Sequence, residues 1–189
     1  NALGMDLFLR IAPELYLKRL VIGGLERVYE IGRTFRNEGI STQHNPEFTM
    51  IEFYQAYATY EDLMDLIEEL ICSLALEIKG SLVFEYGGAE IDMSRPWKRI
   101  NVIEYLEKTF GRELLADDAK LYEKAHSLGV DHKRIRGKAI VEIFEKIAAE
   151  ELMNPAFVYG FPLDVSPLAR KNEADPDITD RFELYITGR

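Results

Sequence analysis

An α+β fold, with one largely antiparallel sheet interrupted by a helical insertion, is what the sequence predicts, and three observations carry the prediction. Runs rich in β-branched and aromatic residues fall before residue 60 and return after residue 155. Between them apolar residues recur mainly at helical spacing. Strand and helix do not alternate regularly and no glycine-rich loop follows a strand, so a parallel doubly wound sheet fits poorly.

In chain order, Leu7–Ile11 reads as a buried strand, and Pro13 suits the first turn of a helix that runs through Leu20 and closes at Gly23-Gly24. Val28–Phe35 and Thr49–Tyr57 read as strands joined by a loop with Gly39, Ser41, Asn45 and Pro46, too long for a tight hairpin. Thr59 and Asp62 resemble a capping box before a helix over 60–79, marked by Leu63, Leu66, Ile67, Leu70, Ile71 and Leu74 and ended by Gly80. Gly87-Gly88 between Leu82–Tyr86 and Ala89–Met93 signals a two-residue hairpin. Asn101 caps a short helix that Gly111 can end, further helices fit 117–128 and 137–152, and Asn154-Pro155 is a stop. Ala156–Phe161 and Arg181–Ile186 are strands again. The expected organisation is therefore a core segment over 1–96, a helical insertion over 97–153 and a return to core strands over 154–189.

The 189 residues carry 33 acidic and 23 basic side chains, a formal net charge of −10, which argues against a surface devoted to coating nucleic acid. A single cysteine, Cys72, rules out an intramolecular disulfide and a cysteine-rich zinc site, and its apolar surroundings point to a buried position. No apolar run approaches the roughly 18 residues of a membrane span, and no signal-peptide pattern opens the chain, so a cytoplasmic location is expected. The opening without Met and the strand-like run close to Arg189 read as a piece of something longer.

The chemistry concentrates in FRNEGISTQHNPEFTMIEFYQAYA, residues 35–58. On a strand, residues two apart share a face, so Glu52 and Tyr54 project together, and Arg36 and Tyr29 are expected to join them from the partner strand. A carboxylate on such a face costs free energy unless a cation answers it, either an internal one such as Arg36 or one that arrives with a ligand. Arg36 can clamp a carboxylate or phosphate bidentately, His44 and Asn45 supply donors, and Phe48 can stack on a flat ring. The plainer alternatives are a structural ion pair, a surface histidine and a core phenylalanine. His126 and His132 are expected to be solvated, and 132–136 to be an exposed basic helix start.

The stretch Arg33-Thr34-Phe35-Arg36-Asn37-Glu38, the loop residues His44-Asn45-Pro46-Glu47-Phe48 and the strand after them resemble the second signature motif of class II aminoacyl-tRNA synthetases. LRIAPELYLKRLVIGG (9–24) and DVSPLARKNEADPDITDRFELYITGR (164–189) are similar to the lysyl-tRNA synthetases among them. The resemblance implies that Arg36 is the catalytic residue, bridging the α-phosphate of ATP and the carboxylate of lysine. It implies that Glu38, His44, Asn45 and Phe48 complete the ATP site. Glu14 would hold the α-ammonium of lysine, and Glu52 with Tyr54 its ε-ammonium.

It further implies lysine, ATP and tRNA(Lys) as partners, a homodimer, no membrane, and Mg2+ held by carboxylates expected beyond Arg189, with no metal ligand in this stretch. The first motif would precede Asn1 and the third would follow Arg189, so the isolated chain is expected to have little activity. Two readings compete: a paralogue that lysylates a protein, and a non-catalytic binding module derived from a synthetase. ISTQHN and FYQAYA look more like the tRNA enzyme.

Overall fold

The chain divides into two units, Asn1–Thr59 and Tyr60–Arg189, in a computed structural model that describes residues 3–41, 44–130 and 133–188. The fold is α+β. In the first unit, helix α1 spans Glu14–Ile22 and strands β1 and β2 span Arg27–Phe35 and Glu47–Gln55. Pro13 precedes α1, its carbonyl accepts from the Tyr16 and Leu17 amides, and Glu14 complements the helix dipole in the first turn. The strands pair antiparallel from Arg27↔Gln55 to Phe35↔Glu47.

That register puts even-numbered residues on one face and odd-numbered residues on the other. The even face is at least half-buried throughout, and Thr34 is fully buried; on β1, odd residues 27–33 are exposed. Tyr29 is thus not on the face of Glu52, contrary to expectation. It pairs with Phe53 on the other side and is 71% exposed. Leu7–Ile11 is likewise not a buried strand, since Leu7, Phe8, Leu9 and Ile11 are all exposed. The segment touches β1 through Arg10, whose carbonyl accepts from the Phe35 amide at 2.9 Å and whose Nε donates to the Arg33 carbonyl at 3.0 Å. One backbone bond makes no ladder, and β propensity without a partner strand decides nothing.

The second unit opens with α2, Tyr60–Lys79, followed by the hairpin β3 (Val83–Tyr86) and β4 (Ala89–Asp92). Its turn, Gly87-Gly88, has φ of +63° and +83°, the left-handed pair that a two-residue hairpin requires. Strand β5 (Lys98–Asn101) leads into helices α3 (Val102–Phe110), α4 (Arg112–Ala116), α5 (Asp118–Ser127) and α6 (Arg136–Ala148), then β6 (Ala156–Tyr159) and β7 (Phe182–Tyr185).

Among the described residues the strands form three sheets rather than one, and β5 pairs with β6 in parallel while β6 pairs with β7 antiparallel. A parallel pair needs a long crossover, and α3–α6 provide it. The stretch expected to be helical, 97–153, therefore begins with a strand of its own.

Strand β6 divides the apolar interior. Ala156 and Val158 join Leu106, Leu121, Ile143 and Phe144 of the crossover helices. Phe157 turns the other way to Met64 and Cys72 of α2, with Ile91, Met93 and Trp97. Its ring lies 5.4 Å from both Trp97 and Phe182, centroid to centroid. Cys72 is buried as expected, its Sγ donating to the Met93 carbonyl at 3.1 Å. His126 is exposed, whereas His132 lies outside the described residues, as do Thr42 and Gln43 of the first-unit loop. Arg136 at the start of α6 pairs with Asp118 rather than standing free.

Asn101 ends β5 and caps α3, its Oδ1 accepting from the Ile103 and Glu104 amides at 2.9 and 3.1 Å. Asn101→Ala is expected to cost about 1 kcal/mol of stability, as loss of such a cap does elsewhere. A fall in the urea midpoint at unchanged slope would register it; an unchanged midpoint would assign the cap no weight.

Candidate functional site

Two groups of side chains gather on the first unit. At the loop end of the hairpin, Arg36, Glu38, Ile40, Ser41, His44, Asn45 and Phe48 line a cavity of about 650 Å³. All five residues expected at an ATP site are among them. The Arg36 amide donates to the Pro46 carbonyl at 3.0 Å, which carries the pairing of the strands one step past β1. Arg36 thus follows the even parity of Phe48, and its guanidinium lies 5.3 Å from the centre of the Phe48 ring while Nε donates to the Ile11 carbonyl. The loop is tied by Ser41 and His44: backbone to backbone at 3.0 Å, His44 amide to Ser41 Oγ at 3.0 Å, and Oγ to His44 Nδ1 at 2.9 Å. His44 Nε2 stands 4.0 Å from the Glu38 carboxylate. The cavity offers a cation, an acceptor, polar donors and an aromatic face together, which is a set suited to a ring bearing an anion.

The second group lies further along the same face, where α1 is packed against the hairpin. Glu52 and Tyr54 point the same way, and the Tyr54 hydroxyl donates to Glu52 Oε2 at 3.2 Å. Partial burial, then the negative charges of Glu52 and Glu14 and the bond to Glu52, push the Tyr54 phenol up to about 12. Lys18 of α1 stands 5.8 Å from the centre of the Tyr54 ring and pairs with Glu14 one turn earlier. Opposite Glu52 in the register is Glu30, which pairs with Arg10. Glu14 and Glu30 each have a cation from within the chain, while Glu52 forms no ion pair among the described residues. Arg36, the internal partner considered for Glu52, is engaged at Phe48 and Ile11 instead. Glu52 lies four positions along the strand from Phe48, about 13 Å at ~3.3 Å per residue.

The even face thus presents an anion-and-ring site at one end and an unanswered carboxylate about 13 Å further on. Sequence reasoning missed Arg10, Lys18 and Glu30. The signal available for Glu30 was its even parity with Arg36 on one strand, which makes it the cross-strand neighbour of Glu52 once the register is known.

Because the folded-state phenol of Tyr54 titrates above its ordinary 10, the stability it contributes is whole below pH 10 and is lost as pH rises toward about 12. Tyr54→Phe is expected to remove that part of the alkaline decline. Melting temperatures of the two proteins compared across this window check it, and parallel curves would contradict it.

Among the described residues no group of three or more His, Cys, Asp and Glu could hold a metal ion, and no helix is long and apolar enough to cross a membrane. The chain matches the family model described as tRNA synthetases class II (D, K and N) over residues 1–189. It is 49% identical to the lysine–tRNA ligase of Bacillus subtilis, 50% to that of Syntrophomonas wolfei and 52% to that of Carboxydothermus hydrogenoformans. Each comparison covers 100% of this chain and 39%, 39% and 40% of the relative, so the chain spans about two fifths of the length of the curated relatives it matches. With the family model matched from the first residue to the last, over a hairpin that gathers the second-motif residues around one cavity, the chain belongs to the class II tRNA synthetases of the D, K and N group.

Proposed function

We propose that the whole protein carrying this chain is a lysine–tRNA ligase, activating lysine with ATP and passing the lysyl group to tRNA(Lys). The observation that carries the lysine assignment is Glu52, which among the described residues forms no ion pair while its neighbours Glu14 and Glu30 have theirs. A lysine ε-ammonium answers that charge, and an uncharged side chain leaves it unpaired, a strong basis for rejection. Tyr54, held protonated at neutral pH, aims Glu52 through its hydroxyl. Glu14, movable between Lys18 and the ligand, takes the α-ammonium.

In the reaction, adenine lies on Phe48 with its amino group toward Glu38, and Arg36 leaves the ring to reach the α-phosphate and the lysine carboxylate. A carboxylate oxygen attacks the α-phosphorus, the bond to the bridging oxygen breaks, and pyrophosphate leaves with that electron pair. The 3′-terminal hydroxyl of tRNA then attacks the lysyl carbonyl and AMP departs. Positioning and charge stabilisation by Arg36 do the work, with no protein nucleophile. Mg2+, which ligases of this class generally use, would neutralise phosphate charge when bound, and no residue of this chain is assigned to it.

The same reading takes 97–153, in which helices follow strand β5, as an insertion between the catalytic segments 1–96 and 154–189, in a cytoplasmic homodimer. That the relatives are lysine–tRNA ligases favours tRNA over protein as acceptor. Lysine-dependent exchange of pyrophosphate into ATP tests the function: the whole protein should support exchange with lysine and not with norleucine, which keeps the four-carbon side chain but lacks the ε-ammonium. Equal rates with the two would overturn the reading.

A further inference from the structure

We propose that Arg10 is a positioning residue for lysine selection: by occupying Glu30 it leaves Glu52 as the one carboxylate of the hairpin that receives the ε-ammonium. The inference rests on the lysine assignment above and adds to it a residue outside the ligand-contacting set. Glu30 and Glu52 are directly opposite in the antiparallel register, on the same half-buried face. Like charges so placed repel, with Cβ atoms about 5 Å apart.

Arg10 resolves the conflict. Its Nη1 pairs with Glu30, its Nε donates to the Arg33 carbonyl at 3.0 Å, and its own carbonyl accepts from the Phe35 amide. The guanidinium is thereby held across β1 at Gly32, where any Cβ would collide with Nη2. The absent side chain at Gly32 is what lets a cation lie over the strand. Among the described residues the other charged or titratable groups of this face are Arg36 at the loop end over Phe48, Tyr54 beside Glu52, and Glu14 and Lys18 from α1, which pair with each other.

Without Arg10, two facing carboxylates would stand with no internal cation between them. Lysine would then meet two equivalent anions on adjacent strands, about 4.8 Å apart, so its carboxylate would no longer be brought reliably to Arg36.

The experiment uses the whole protein in lysine-dependent ATP–pyrophosphate exchange. Arg10→Gln should raise the lysine KM about tenfold with an unchanged ATP KM. Arg10→Gln/Glu30→Gln should return the lysine KM to within about twofold of wild type. Arg10→Lys, which keeps the charge, should keep the wild-type lysine KM. If the single and double glutamine variants are equally impaired, Arg10 acts only by tying its segment to β1 and the proposal fails. A lysine KM in Arg10→Lys as high as that of Arg10→Gln would also overturn it. Glu52→Gln serves as the internal reference, since an unchanged lysine KM there would overturn the lysine assignment itself.

Discussion

Arg36→Ala in the whole protein is expected to lower kcat for lysine-dependent ATP–pyrophosphate exchange by roughly 10²–10³-fold, the cost of removing one preorganised group that stabilises charge in a transition state. The guanidinium is placed for this by three local facts: the even-face parity it shares with Phe48, the amide bond to Pro46, and the contact of Nε with Ile11. In the resting hairpin it covers the Phe48 ring, so adenine must take its place. Loss of Arg36 should therefore depress kcat strongly while changing the ATP KM little, because the aromatic face becomes free as the phosphate contact is lost. Arg36→Lys should recover only part of the rate, since an ammonium cannot bridge phosphate and carboxylate with a planar fork. Initial-rate kinetics decide the matter, and a kcat within threefold of wild type in Arg36→Ala would remove Arg36 from the chemistry.

Glu52→Gln has the second large effect. Gln keeps an acceptor for the Tyr54 hydroxyl and nearly the same shape, so what is lost is the charge. Hydrogen bonds to charged groups contribute about 1.5–3 kcal/mol, against ~1 for neutral pairs, and the difference of up to about 2 kcal/mol sets the expected fall in kcat/KM for lysine at roughly 10- to 30-fold. The KM for ATP should not move, because the cavity of Arg36, Glu38, His44, Asn45 and Phe48 lies about 13 Å along the strand. Norleucine, by contrast, should gain relative to lysine, since the unpaired charge that rejects it has gone. The ratio of the two amino acids in the exchange assay measures this directly; an unchanged ratio would mean that Glu52 does not select.

Much of this arrangement is legible in the sequence alone. Proline and paired glycines bracket α1, Gly87-Gly88 fits a single kind of hairpin turn, and the Asn101 cap lies where its spacing to Glu104 puts it. These are local signals, and each is satisfied by bonds within a few residues. The five residues of the expected ATP site meet around one cavity because they lie on, or next to, a single antiparallel pair.

What the chain concealed was non-local. Lys98-Arg99-Ile100-Asn101 has two charged residues in four and no alternation, so nothing marks it as a strand until β6 arrives to pair with it. Leu7–Ile11 has the composition of a strand and lacks the partner. The placement of Tyr29 beside Arg36 was excluded by alternation alone, since seven residues separate them and opposite faces follow. Arg10 and Glu30 escaped notice because their meaning depends on the register, which the irregular loop between the strands does not determine.

The central claim is that the hairpin face is built for a ligand bearing adenine at one end and an ammonium at the other, with Glu52 as the selective charge. Its most direct test is a calorimetric titration of the whole protein with two non-hydrolysable aminoacyl-adenylate analogues, one lysyl and one norleucyl. The account predicts that the lysyl analogue binds at least ~10²-fold tighter, and that Glu52→Gln removes most of the difference, weakening the lysyl analogue and strengthening the norleucyl one. Equal affinity for the two analogues in the unmodified protein would contradict it.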